Sequence, residues 1–204
     1  MVIYLIRHGE TDWNRQNRLQ GIEDIELNET GLLQSADCAR AFHGVPVDCI
    51  LSSPLKRAKK TADIMAEHLG LHDILVEQGL TERDFGKLSG LTLEARERLL
   101  ESGEDPMLEP KEDLTARLMS VLNNYIAHSA CQNIVIVSHG ASINAILSHL
   151  SGGEIGTGKT ILKNTCVNKL SCHGQNVTID FYNLTPAEFL SYRQADSGGV
   201  KKTL

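Results

Sequence analysis

Val2-Ile3-Tyr4-Leu5-Ile6-Arg7-His8-Gly9 opens the chain after Met1, and the reading of this stretch decides the fold. Val2 to Ile6 is a short, uninterrupted apolar run, the pattern of a strand buried on both faces. Arg7 and His8 leave its end. The same order returns twice. Val47 to Leu51 runs into Ser52-Ser53-Pro54, and Asn133 to Val137 runs into Ser138-His139-Gly140. Helical patterns separate these runs. Gly31 to Phe42 places Leu32, Ala36, Ala39 and Phe42 on one face. Leu55, Ala58, Ala62, Met65 and Leu69 repeat at three and four, with Gly70 as the stop. Ser53 reads as the N-cap of that helix and Pro54 as its first residue. Leu114, Leu118, Val121, Leu122 and Tyr125 mark another helix, and a further one follows His139 to about Leu150.

Strands alternating with helices predict an α/β fold, a three-layer sandwich whose largely parallel sheet is flanked by helices. Ligands bind such sheets beyond the carboxyl ends of the strands. There the three runs would bring Arg7-His8, Ser52-Ser53 and Ser138-His139 to one crevice. Residues 9–28 read as a long surface loop, and Ile74 to Val76 as a short strand. Residues 91–111 read as a small, partly helical cap excursion. Cys166 to Cys172 and Val177 to Tyr182 read as a hairpin turning at residues 173–176. The expected organisation is one domain over 1–194, with a Gly-, Ser- and Lys-rich frayed tail at 195–204.

Composition fits this picture. The 204 residues carry 26 acids against 20 Lys and Arg, a formal charge of −6, with 41% hydrophobic residues. That is the balance of a globular domain, and it gives no general attraction to nucleic acid. Neither the N-terminal run nor any later stretch reaches membrane-spanning length. Five scattered cysteines without paired spacing argue against a disulfide framework or a zinc site, and for a reducing cytoplasm. Any anion chemistry must then come from a local cluster of positive charge.

Such a cluster is readable. Arg7 and His8 leave the first strand, Arg57 lies in the first turn after the second, and His139 leaves the third. Guanidinium groups present planar donor forks that match phosphate oxygens. Two histidines, each followed by glycine at a strand end, point to a shared site more than to two unrelated core residues. A free helix N-terminus near Ser53 is expected to add positive potential.

These residues carry a resemblance. Arg7-His8-Gly9-Glu10-Thr11 resembles the signature of the histidine phosphatase superfamily, the phosphoglycerate mutase-like proteins. Asn14 and Gly21 follow it, and Leu27-Asn28-Glu29-Thr30-Gly31 resembles the family's next segment. Ser52 to Ala58 with Thr61-Ala62, then Glu82-Arg83-Asp84-Phe85-Gly86, then Ser138-His139-Gly140 agree in order. The resemblance spans roughly residues 2–184 and implies a phosphoglycerate mutase-like fold. It implies His8 as the nucleophile that forms a phosphohistidine. Arg7, Arg57 and His139 would hold the phosphoryl oxygens, with Asn14, Gln20, Gly21 and Gly140 beside them. Glu82 would protonate the leaving oxygen and then deprotonate water; Asp84 is its neighbouring rival. Arg7 and Arg57 would keep His8 neutral by like-charge repulsion. No metal and no other cofactor is implied, because the guanidiniums supply the charge. The partner implied is a small phosphorylated substrate, with no nucleic acid and no membrane; a homodimer is allowed for.

Phosphatases and mutases share this chemistry. A mutase shields its phosphohistidine under a lid with added positive charge. Residues 91–112 are instead rich in Glu and lack an adjacent arginine pair, and the chain is short, so hydrolysis is the expectation and a cofactor-dependent phosphoglycerate mutase the alternative. Arg83 is the residue that could meet a second anionic group. The family's tryptophan after the acidic motif and its Gly-Glu-Ser segment before the helix at 114 are replaced here, which bears on substrate. The acidic exterior is expected to favour singly phosphorylated substrates. A decoy also needs naming. Gly153 to Thr160 matches the nucleotide-binding P-loop letter for letter, a minor alternative of another hydrolase class. A P-loop follows a strand and opens a helix, whereas this segment follows a helix and leads toward what reads as an edge strand.

Overall fold

The computed structural model describes residues 1–174 and 176–197. The elements in order are β1 (Val2–Arg7), α1 (Asp12–Arg15), α2 (Glu29–Ala41), β2 (Cys49–Ser52), α3 (Lys56–Leu69), β3 (Ile74–Val76), α4 (Leu93–Glu101), α5 (Lys111–His128), β4 (Asn133–Ser138), α6 (Gly140–Leu150), β5 (Val167–His173), β6 (Asn176–Leu184) and α7 (Pro186–Ser197). One six-stranded sheet has the order β3-β2-β4-β1-β5-β6. β1, β2, β3 and β4 are parallel, and β5 runs antiparallel to both β1 and β6. The expected α/β sandwich with a mostly parallel sheet is the observed fold.

The period-2 alternation of β1 divides the core. Ile3 and Leu5 face Leu118 and Leu122 of α5 and Ile143, Ile146 and Leu147 of α6. Tyr4 and Ile6 face Phe42 beyond α2, Ala58, Ala62 and Met65 of α3, and Phe189 of α7. Each fully buried large aliphatic side chain of these layers contributes about 1.5–3 kcal/mol. The three strands that carry site residues are neighbours, and Arg7 stands beside Ser138 in register. Their carboxyl ends therefore open on one edge of the sheet.

Several expectations need correction. The loop at 9–28 contains the one-turn α1, closed by a capping box between Thr11 and Asn14. In α2 the buried side is Gly31, Ser35, Cys38 and Ala39, and Leu32 is exposed. The reason lies in Gly9: a Cβ there would sit 2.4 Å from the Gly31 carbonyl oxygen, so α2 approaches the β1 exit through its smallest residues. α3 starts at Lys56, not Pro54, and Ser53 does not cap it; the Lys56 N–H is capped by Asp24 Oδ1 at 2.7 Å. The anticipated free helix N-terminus is thus already occupied by a carboxylate. α7 is an element beyond those expected, and it continues through Ser197 into the expected tail; residues 198–204 lie outside the described residues. Residue 175 of the hairpin turn does too.

The P-loop match follows α6 and leads into β5, which lies inside the sheet; the edges are β3 and β6. The segment is tied to itself. Lys159 Nζ donates to the Gly153 carbonyl at 2.6 Å, and Gly156 N–H donates to Thr160 Oγ1 at 3.0 Å. The strand-loop-helix context of a nucleotide-binding loop is absent here. No helix of the described residues is long and apolar enough to cross a membrane.

Candidate active site

A cavity of about 550 Å³ opens at the carboxyl edge of the sheet, lined in its depth by Arg7, His8, Arg57 and Glu82. Arg57 is fully buried, and each of its three nitrogens donates. Nε reaches His8 Nε2 at 3.3 Å, Nη1 the Glu23 carbonyl at 2.5 Å and Nη2 the Gly21 carbonyl at 2.7 Å. Arg7 Nη1 donates to the Leu162 carbonyl at 2.5 Å, while its buried Nε has no partner among the described residues. A buried donor left unmatched costs about 1–3 kcal/mol. An anion in the cavity would supply that match.

The imidazole tautomers follow from their neighbours. His8 Nδ1 lies 2.7 Å from the Gly9 carbonyl, which can only accept, so Nδ1 carries the proton and Nε2 keeps its lone pair, which accepts the Arg57 Nε–H. His139 is fully buried, its ring centroid 5.2 Å from that of His8. Its Nε2 lies 2.7 Å from Ser53 Oγ. Ser53 Oγ already accepts from the Leu55 N–H at 3.3 Å, so its hydroxyl proton is free to turn to His139. With that hydroxyl donating to Nε2, the imidazole proton sits on His139 Nδ1, which has no partner among the described residues.

Burial, reinforced by Arg57 and Arg7, holds His8 well below the ordinary imidazole range. Burial, Arg57, His8 and Arg7 do the same to His139. Burial brings Arg57 down to about 10, opposed by Glu82, so it stays cationic at neutrality. Histidine proton NMR is therefore expected to show neither ring titrating near pH 6.5, with both neutral forms persisting as the pH falls below it. A midpoint at or above 6.5 for either ring would contradict this electrostatic picture.

Glu82 is held by the start of α6. Its Oε2 accepts from Ala141 N–H at 3.0 Å, and its Oε1 from Ser142 N–H and Ser142 Oγ, each at 3.0 Å. Arg83 N–H adds a bond at 2.9 Å. The backbone of this segment is fixed from α5. Arg117 donates to the carbonyls of Gly79, Thr81 and Glu82 and pairs with Glu109 at 2.7 Å. Arg117 is not among the residues expected from the sequence. Its signal was a charged residue at the three-residue step between Leu114 and Leu118, where the apolar face of a helix predicts an apolar or paired residue.

The other expected residues divide. Asn14, Gln20, Gly21 and Gly140 line the cavity; the Asn14 carbonyl oxygen is bound by Thr11, leaving its amide N–H₂ toward the site. Arg83 does not line it. Its guanidinium donates to the Glu109 carbonyl at 2.9 and 2.6 Å and lies over the Phe85 ring. Asp84 caps the Gly86 N–H at 2.8 Å, away from the cluster. Residues missed by the sequence reading include Arg18, Arg96 of α4, Asn164 and the stretch Thr160 to Leu162, all on the cavity wall. Among the described residues no group of three or more His, Cys, Asp or Glu could hold a metal ion.

An α/β sheet that brings Arg7, His8, Arg57 and Glu82 to one cavity, with His139 fully buried beside His8, is the architecture of a phosphoglycerate mutase-like enzyme. Comparison with known proteins agrees. The family model of the histidine phosphatase superfamily (branch 1) matches residues 3–185, and the chain belongs to that family. It is 38% identical to the uncharacterized phosphatase PhoE of Bacillus subtilis, over 89% of this chain and 94% of that one. It is 30% identical to the probable phosphoglycerate mutase GpmB of Cronobacter sakazakii over 74% of each chain. Its fold matches mycobacterial glucosyl-3-phosphoglycerate phosphatase in complex with VO3 at a TM-score of 0.81 and 27% identity, covering 90% of this chain and 98% of that one.

Proposed function

We propose that the chain is a metal-independent phosphomonoester hydrolase acting on a small phosphorylated metabolite through a phosphohistidine on His8. The observation that carries this reading is the His8 ring. Its Nδ1 proton is pinned to the Gly9 carbonyl, and its unprotonated Nε2 accepts from Arg57 Nε on a cavity that Arg7 and Arg57 also line.

The steps follow from the positions. His8 Nε2 attacks phosphorus and the bond to the leaving oxygen breaks, with Glu82 giving that oxygen its proton. The negative charge on the equatorial oxygens meets Arg7, Arg57 and the His139 Nδ1–H. A water then attacks phosphorus and gives its proton to Glu82. The N–P bond breaks, and His8 returns neutral. The Gly9 carbonyl holds the ring in one orientation throughout. Asn14, Gln20 and Gly140 border the phosphoryl position.

Hydrolysis is favoured over phosphoryl transfer to a second substrate because Arg83, the candidate for holding an extra anionic group, is bound to Glu109. The mutase alternative keeps its support from relatives such as GpmB. The test is a panel of phosphate esters assayed with a chelator present, combined with acid- and base-quench trapping of labelled enzyme. The expected result is release of inorganic phosphate and a base-stable, acid-labile phosphoenzyme. Activity abolished by the chelator, or phosphoglycerate isomerisation outpacing phosphate release, would overturn the reading.

A further inference from the structure

The five cysteines are scattered along the sequence, and all five are free thiols in the structure. The fold nevertheless brings two of them together, away from the active-site cavity. Cys49 opens β2, and Cys131 precedes β4, 82 positions later. Cys38, Cys166 and Cys172 are buried, whereas Cys49 and Cys131 are only half-buried.

Strand register sets the meeting. β2 and β4 are parallel neighbours, with Cys49 opposite Ile134. One residue earlier, Asp48 clasps the start of β4. Its N–H donates to the Asn133 carbonyl at 2.8 Å, and its Oδ2 accepts from the Gln132 and Asn133 N–H groups, each at 2.7 Å. Cys131 N–H donates to Ser129 Oγ at 3.1 Å, which fixes the turn out of α5. The Cys49 and Cys131 side chains both pack on the core cluster beneath α5, and there the Cys49 thiol donates a hydrogen bond to the Cys131 sulfur. Tyr125 stands beside both thiols, its hydroxyl donating to Glu77 Oε1 at 2.6 Å. Burial and the bond to Cys131 push the Cys49 thiol up to about 12. Cys49 is thus the proton donor of the pair and Cys131 the attacking sulfur.

Thiols that already share a hydrogen bond need side-chain rotation, not strand movement, to join. We propose that Cys49 and Cys131 are a redox-active pair, closed to a disulfide by low-molecular-weight disulfides and reopened by thiols. The Cys131 sulfur attacks one sulfur of RS–SR, a mixed disulfide forms, and the first RS⁻ leaves with the Cys131 proton as RSH. The Cys49 sulfur then attacks the Cys131 sulfur, the mixed disulfide breaks, and the second RS⁻ leaves with the Cys49 proton. Two protein thiols are oxidised, and RS–SR is reduced to two RSH. A reducing compartment keeps the pair open, so the bond reports oxidation and is no permanent framework. Once closed, it rings residues 49–131, the part of the chain that carries Arg57 and Glu82, and restricts the unfolded chain.

The test exposes the full chain, folded and reduced, to oxidised glutathione, then quenches with acid, alkylates and maps the peptides by mass spectrometry. The expected product is an intramolecular bond between Cys49 and Cys131 that dithiothreitol reverses. Cys38, Cys166 and Cys172 should be alkylated only after unfolding. The oxidised protein is expected to melt about 5–10 °C above the reduced one, the gain from closing a loop of this length in a chain of this size. Cys49→Ser should stop at a mixed disulfide between glutathione and Cys131. Cys131→Ser should capture glutathione at Cys49 about tenfold more slowly, since the remaining sulfur is the poorer attacker. Glutathione held separately at the two positions of the native chain, a bond formed only between chains, or no rise in melting temperature on oxidation would overturn the proposal. Every readout is independent of the phosphatase reading, which stands or falls on its own test.

Discussion

His8→Ala is expected to reduce turnover of every phosphate ester by about 10⁴-fold or more, close to 5.5 kcal/mol of transition-state stabilisation. No other group can take over. His139 is the one other imidazole in the cluster, but it lies fully buried with its Nε2 committed to Ser53. The arginines and Arg7 Nε are donors only. The variant should fold, because the His8 side chain contributes two hydrogen bonds and no large apolar surface. It should also bind phosphate or vanadate, since Arg7 and Arg57 remain, although Arg57 loses its Nε acceptor. The measurement is single-turnover phosphate release beside phosphoenzyme trapping. A labelled phosphoenzyme in His8→Ala, or activity within about tenfold of native, would show that another residue is the nucleophile.

The second large effect is expected at Glu82. Glu82→Gln should slow hydrolysis of alkyl phosphates by about 10²–10⁴-fold, the range for removal of a general acid. The same variant should lose far less with an aryl ester whose leaving group departs without a proton. That contrast distinguishes proton donation from structural support, because a merely distorted pocket would slow both esters alike. The substitution is also not conservative here. Both carboxylate oxygens accept N–H donors, from Ala141 on one side and from Arg83 and Ser142 on the other. A glutamine must turn its own N–H₂ toward one of them. Glu82→Ala avoids that clash, and the two variants should share the same leaving-group dependence. Equal losses on alkyl and aryl esters would remove Glu82 from its role.

The strand ends were legible because their signals are local. An apolar run followed by Arg7-His8-Gly9 or Ser138-His139-Gly140 states both the strand and its exit, and the parallel register then brings the exits together. What failed to show depended on residues distant in sequence. Ser53 looked like a helix cap, yet its hydroxyl serves His139, 86 positions away, and Asp24 caps the helix in its place. The face of α2 was legible at Ala39 and Phe42, which are buried, but not at Leu32, because close approach to Gly9 selects Gly31 and Ser35 there. Arg18 and Arg96 are 78 positions apart and come to the same cavity wall through the seam between residues 17–19 and 90–91. α7 is a different case. Thr185-Pro186-Ala187-Glu188 spells a capping box with proline at the first turn, and Thr185 and Glu188 do close it, so the signal was present and unread.

The cap excursion leaves the domain and returns almost to its own starting point. Asp84 and Glu109 are joined through main chain and carboxylate, Lys87 N–H donates to the Pro106 carbonyl at 2.9 Å, and a Cβ on Gly86 would strike that carbonyl at 2.2 Å. The segment between these clasps is a closed loop hung from a fixed base. Lengthening such a loop adds little closure entropy, about 0.6 kcal/mol per doubling. Glu82 and Arg117 lie outside it and keep their bonds whatever its content. Laboratory grafting can therefore exchange this loop as a cassette while the segment that holds Glu82 stays clasped beneath it.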